Sequence, residues 1–178
     1  MIEDTALRLR QSHNDALEFS ELLVVGSKRH AALLDSALPD ARKILEPFGR
    51  NSAPAVAAAC LAHHPDDLVL ILPADHHIRN MRAFHDAIEA ASKEAMEGAI
   101  VTFGIEPTHP ATGYGYIRST QSGSGKARRV EQFVEKPDLQ TAISYIEQGV
   151  YLWNAGIFLF RAGAMLESFL SLAPDILE

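Results

Sequence analysis

The sequence predicts an α/β domain on a mixed, mostly parallel sheet. Three observations carry that class. Short apolar runs alternate with helical stretches from residue 22 to residue 104, the rhythm of strand–helix–strand units. The run Leu68-Val69-Leu70-Ile71-Leu72 is apolar at each position, which suits a strand covered on both faces. Beyond residue 110, strands follow one another with fewer helices between them. A parallel half therefore leads into a mixed or antiparallel half.

The elements follow in order. Residues 3–13 can form a helix with Leu7 and Leu9 as apolar points. Leu22-Leu23-Val24-Val25 is a short strand ended by Gly26, and Ser27 can cap a helix to about Leu34. Lys43-Ile44-Leu45 is a strand that breaks at Glu46-Pro47. Ala53 to His63 is Ala-rich and helical, with Pro54 in the first turn, where its missing N–H is tolerated. After the Leu68–Leu72 strand, a helix runs from Met81 to Glu97 and closes at Gly98. Ala99 to Phe103 is an apolar strand ending at Gly104. Tyr114 to Arg118, Arg129 to Glu135 and Gly156 to Arg161 are strands. Asp138 to Gln148 and Gly163 to Leu172 are helices, and Gln121 to Lys126 has the composition of a surface connection.

Length and composition fit one soluble globular domain over 1–178, at 47% hydrophobic and 22% charged residues. The net charge of −7 argues against a general nucleic-acid surface but leaves room for a local cluster that holds a phosphorylated small ligand. A single cysteine, Cys60, permits no internal disulfide, fits a reducing, cytoplasmic setting and sits in a helical stretch as a small apolar residue. No apolar run reaches the roughly 18 residues of a membrane span, and the first residues lack the order of a signal peptide.

Several segments hold residues that a core does not need. Phe133-Val134-Glu135-Lys136-Pro137 delivers a carboxylate and an ammonium to a strand end, where proline stops the ladder. The carboxylate can accept from sugar hydroxyls, and the ammonium can neutralise phosphate. Asn154, in the apolar run from Tyr151 to Phe160, can donate and accept at once; the alternative is an Asn in a tight turn before Gly156. Asp75, after the most buried-looking strand, can hold Mg²⁺ together with phosphate oxygens and water, or simply cap the following helix. The loop Glu46-Pro47-Phe48-Gly49-Arg50-Asn51-Ser52-Ala53 leads into a small-residue helix, whose N-terminal N–H groups can read a base edge or hold an anion; ordinary capping by Asn51 or Ser52 explains it equally well. In Thr112-Gly113-Tyr114-Gly115-Tyr116, glycine marks either close approach of a ligand or a bulge. His63-His64 and Asp75-His76-His77 suggest a binuclear-metal phosphoesterase, but they bracket one strand and so stand about 17 Å apart, pointing away from each other. His63 and His64 fit better as the exposed end of a helix.

Taken in order, ILEPFGRNSAPAVAAACL, LVLILPADHHI, VTFGIEPTHPATGYGYI, FVEKPD and YLWNAGIFLFRA resemble the mannose-1-phosphate guanylyltransferases, especially the bacterial group often fused to a phosphomannose isomerase. The resemblance spans essentially the whole chain. It implies a Rossmann-like nucleotide-diphospho-sugar transferase fold, and a reaction joining mannose 1-phosphate to GTP with Mg²⁺ to give GDP-mannose and pyrophosphate. It implies Asp75 on the metal and Glu46, Arg50, Asn51, Ser52 and Ala53 against guanine. It also implies Gly115 presenting backbone to the sugar, Glu135 and Asn154 on mannose hydroxyls, and Lys136 on the sugar phosphate, with Asp75 and Lys136 the catalytic pair. A homo-oligomer stays open. The family's opening strand, its Arg-bearing glycine-rich loop and a second metal Asp downstream have no counterpart in these residues. Ser52, Ala155 and His77 stand where Thr, Ser and Val are usual. The expectation is therefore a partial domain, truncated at both ends, with little turnover of its own and an unpaired sheet edge. The alternatives are a transferase for UTP or dTTP and a non-catalytic nucleotide- or sugar-binding module.

Overall fold

The computed structural model describes residues 1–10, 17–49, 51–120 and 127–178. Arg50 and the connection from Gln121 to Lys126 lie outside the described residues. The chain order is α1 (Ile2–Arg10), β1 (Leu23–Ser27), α2 (Ala31–Ala37), β2 (Arg42–Glu46), α3 (Ser52–Leu61), β3 (Leu68–Ile71), α4 (Met81–Met96), β4 (Val101–Ile105), β5 (Tyr116–Ser119), β6 (Val130–Val134), α5 (Leu139–Gln148), β7 (Tyr151–Arg161) and α6 (Ala162–Leu172). Ser27 does cap, but the cap serves a short 3₁₀ turn at Lys28–His30 that precedes α2. Asp138 starts α5 by accepting from the Thr141 N–H at 2.9 Å, which holds its carboxyl below the usual aspartate range.

The α/β class holds, with less parallel pairing than the sequence suggests. Among the described residues, β1 and β2 form the one parallel pair. The other strands make a five-stranded sheet centred on β7, in which each pairing is antiparallel. The reason is the long strand β7. It lies between β3 and β4, so two strands that run the same way each meet an antiparallel neighbour instead of each other. Phe158 and Leu159 pair with both β3 and β4, and Trp153 pairs with both β4 and β5. Hence β4 follows one edge of β7, while β3 and β5 share the other edge end to end.

The apolar β3 run is explained by helices on both faces. Leu70, with Ala155, Ile157 and Leu159 of β7, packs on Phe84 and Ile88 of α4. Val69, Ile71, Phe158 and Phe160 pack on Val56 and Cys60 of α3 and Met165 and Leu166 of α6. Cys60 is fully buried, and burial pushes its thiol up to about 11, so it is an inert apolar residue as expected. α1 covers Leu22 and Val24 at the two-stranded sheet, and its Arg8 and Thr5 also reach the carbonyls of His76 and Ala74 beyond β3. α1 and α3 thus tie the two sheets together. No helix among the described residues is long and apolar enough to cross a membrane.

Candidate functional site

The site forms where β7 bends, opposite the point at which β3 gives way to β5. Thr102 of β4 faces Phe158 while Gly104 faces Asn154, so Ala155, Gly156 and Ile157 stand opposite Phe103 alone. This is a bulge in β7. Gly156 supplies its left-handed backbone, at φ +67°. A Cβ on Gly156 would lie 3.3 Å from Pro73 Cγ, so the segment leaving β3 packs directly on the bulge. Asp75 follows two residues later.

A cross-strand row occupies one face here: Gly104, Asn154, Gly115, Glu135. Gly104 is registered with Asn154. The Asn154 N–H donates to the Gly115 carbonyl at 2.8 Å. Tyr116 faces Val134, which sets Gly115 across from Glu135 one residue beyond the ladder. A Cβ on Gly115 would fall 2.8 Å from Glu135 Oε2 and 3.1 Å from Phe133 Cζ. The absent side chain is therefore what lets the Glu135 carboxylate lie over the sheet at Gly115. The register shift between β5 and β6 lies at Arg118 and Ser119, so no bulge falls at Gly115, and the close approach seen there is that of Glu135 and Phe133.

Asn154 is a strand residue, not the turn residue weighed as its alternative, because β7 begins at Tyr151 rather than Gly156. Its Oδ1 accepts from Thr102 Oγ1 at 2.8 Å and from the Gly156 N–H at 3.2 Å. Its acceptor is thus occupied, and the expectation that it both donates and accepts at a ligand narrows to donation. Trp153 turns to the opposite face, edge-on to Tyr114 and His109 at ring separations of 5.1 and 4.9 Å.

Lys136 is one of two non-glycine residues with a left-handed backbone among those described, at φ +46°. Such strain persists where the surroundings demand it, and it concentrates at ligand sites. Lys136 Nζ lies 3.4 Å from Glu135 Oε1, with the side chains 65% and 57% exposed. An ion pair this exposed is weak and readily exchanged for a ligand.

Asp75 is exposed and, among the described residues, its carboxylate has no hydrogen-bond or ion-pair partner. The capping role belongs to Asn80, whose side chain accepts from the Ala83 N–H at 3.0 Å. The backbone on either side of Asp75 is held by α1. The Arg8 guanidinium donates to the His76 carbonyl, and Thr5 Oγ1 donates to the Ala74 carbonyl at 3.4 Å. His85 of α4 fixes α1 in turn through a 2.9 Å contact from Nε2 to the Arg8 carbonyl.

The loop ahead of α3 lies apart from this row, at the end of the two-stranded sheet. Glu46 closes β2, Asn51 takes the N-cap position at φ +55° without a side-chain cap bond, and Ser52 and Ala53 open the helix. The capping alternative therefore fails for Asn51. Arg50 falls outside the described residues. The histidine pairs do not assemble a site: His63 Nδ1 sits 2.8 Å from the Ala59 carbonyl at the end of α3, and no group of three or more ligating side chains occurs among the described residues.

Sequence reasoning missed Thr102 and Gly104. A glycine inside the apolar run Val101-Thr102-Phe103-Gly104-Ile105 was the available signal for a bulge. Nothing local distinguishes Thr102, because its partner is 52 residues away.

A family model described as nucleotidyl transferase matches residues 1–178. The chain is 43% identical over 189 aligned residues to a mannose-1-phosphate guanylyltransferase of Klebsiella pneumoniae, covering all of this chain and 39% of that protein. It is 51% identical over 138 residues to the xanthan biosynthesis protein XanB of Xanthomonas campestris pv. campestris strain B100, covering 76% of this chain and 29% of that protein. Among solved structures, a mannose-6-phosphate isomerase from Helicobacter pylori aligns with a TM-score of 0.84 at 30% identity, over 98% of this chain and 66% of that one. A Thermus thermophilus protein named mannose-1-phosphate geranyltransferase aligns with a TM-score of 0.77 at 35% identity, over 86% of this chain and 46% of that one. The chain thus spans about two fifths of the guanylyltransferase it matches end to end. With the family model matched from its first residue to its last, the chain belongs to the nucleotidyl transferase family.

Proposed function

We propose that these residues form the sugar-phosphate half of a mannose-1-phosphate guanylyltransferase, which joins mannose 1-phosphate to GTP and releases pyrophosphate. The observation that carries the reading is the cross-strand row with Lys136 at its end. It gathers one donor, one carboxylate and one cation around a glycine. That set matches a sugar hydroxyl pair beside a phosphate. Glu135 accepts from a hydroxyl, Asn154 donates to one, and Lys136 leaves its ion pair to meet the phosphate. In the transfer, a phosphate oxygen of mannose 1-phosphate displaces pyrophosphate from the α-phosphorus of GTP. Holding that oxygen in line and neutralising charge suffice; no protein nucleophile is needed.

Asp75 fits Mg²⁺. It is a lone carboxylate without a partner among the described residues, and Mg²⁺ is commonly held by one or two carboxylates plus substrate phosphates and water. When bound, the ion supplies charge neutralisation on phosphate oxygens. The Glu46–Ala53 loop, with Arg50, Asn51 and Ser52, is assigned to guanine on the strength of the family resemblance.

The test is pyrophosphate release from mannose 1-phosphate and Mg²⁺ with GTP, UTP or dTTP in turn. The 178-residue chain itself should turn over negligibly. The glycine-rich triphosphate loop of the family is not among its residues, and each missing charge-assisted hydrogen bond is worth about 1.5–3 kcal/mol. Residual release should be greatest with GTP. Preference for UTP or dTTP would overturn the guanine assignment, and a rate typical of intact enzymes would overturn the role given to the loop.

A further inference from the structure

We propose that Thr102 is a positioning residue that fixes Asn154 as a donor-only group and thereby sets which hydroxyl pattern the site accepts. The proposal rests on the sugar-phosphate reading of the row. The polarity of the Asn154 amide follows from its neighbours. The Gly156 N–H can only donate, so the Asn154 atom 3.2 Å away must be oxygen. A flipped amide would set N–H against N–H. Thr102 Oγ1 meets the same oxygen at 2.8 Å and therefore donates to it; the Ile157 carbonyl, at 3.3 Å, is the weaker acceptor for that one hydrogen. With Oδ1 taken twice, the NH₂ end is turned away from Thr102 and has no partner among the described residues. Gly104 and Gly115 flank Asn154 on the adjacent strands, so neither places a side chain of its own over it.

The ligand consequence is specific. Across Gly115 the row offers the Glu135 carboxylate, which only accepts, and Asn154, which only donates. A group that satisfies both must accept on one side and donate on the other, as an alcohol does. A position that has lost its hydroxyl does neither. Without Thr102 the amide is held by one bond instead of two and is free to turn, and the donor-only rule relaxes.

The experiment compares the chain with Thr102→Val, which keeps shape and β-branching but removes the hydroxyl, and Thr102→Ser, which restores it. Calorimetry measures mannose 1-phosphate and its monodeoxy analogues at the ring hydroxyls. Wild type should bind mannose 1-phosphate about tenfold tighter than at least one analogue, as expected for one hydrogen-bonded hydroxyl. Thr102→Val should lose most of that discrimination, weakening the parent ligand about fivefold while barely changing that analogue; Thr102→Ser should keep both values. Equal weakening of all ligands would reduce Thr102 to a packing role and overturn the proposal. A separate readout needs no ligand. The Asn154 side-chain NH₂ resonances, identified by their loss in Asn154→Ala, should shift in Thr102→Val and stay in Thr102→Ser. Unshifted resonances overturn the Thr102 contact. Shifted resonances with no sugar-phosphate binding by wild type would sustain the contact but overturn both the specificity role and the reading on which it rests.

Discussion

Gly115→Ala should weaken mannose 1-phosphate binding by about ten- to a hundredfold and leave the fold nearly untouched. The new methyl group would fall 2.8 Å from Glu135 Oε2 and 3.1 Å from Phe133 Cζ. Both are far ends of exposed side chains, and Gly115 has no positive φ, so the strand can keep its place while Glu135 and the Phe133 ring swing aside. Swinging aside removes the carboxylate from the row. Hydrogen bonds to a charged group are worth about 1.5–3 kcal/mol, which is the stated range in affinity. Calorimetry gives the binding loss, and a thermal melt checks that the midpoint moves by no more than a few degrees. A variant that binds as wild type would show that Glu135 does not act from above Gly115. A large drop in the melting midpoint would show that the glycine serves the strand instead.

Phe160→Ala should have the largest effect on stability, about 3–5 kcal/mol. Phe160 is fully buried on the central strand, registered with Val69, and packs with Cys60 and Ala162 between α3 and α6. Its loss removes the body that joins the two helices to the sheet. Since whole domains are stable by only about 5–15 kcal/mol, this is a large share of the total. For a chain of this size the melting midpoint should fall by roughly 10 °C. Urea unfolding measures it directly. A cost below about 1 kcal/mol would mean that the α3–α6 layer is not packed on β7 as described.

What was legible in the sequence was whatever depends on local pattern. The β3 run and the α4 helix announce themselves through apolar runs and periodicity. Glu135, Lys136 and Asp75 stand out because charges at strand ends serve no core. Three things escaped, for a shared reason. That β7 separates β3 from β4, that Thr102 holds Asn154, and that Gly115 makes room for Glu135 are all cross-strand relations. Each depends on register between residues far apart in the chain, and a strand's own residues do not name its neighbours. The same limit hid the start of β7. Trp153 and Asn154 look like an interruption of an apolar run, yet they alternate faces within one continuous strand. Capping is not what Asn51 or Asp75 does: neither side chain caps a helix.

Whether Glu135, Lys136 and Asn154 form one sugar-phosphate site is decided by titrating mannose 1-phosphate into the 178-residue chain by calorimetry. Wild type should give saturable heat, and both Lys136→Ala and Asn154→Ala should lose about tenfold or more in affinity. No heat from the folded wild-type chain, or heat that neither substitution changes, would contradict a single site.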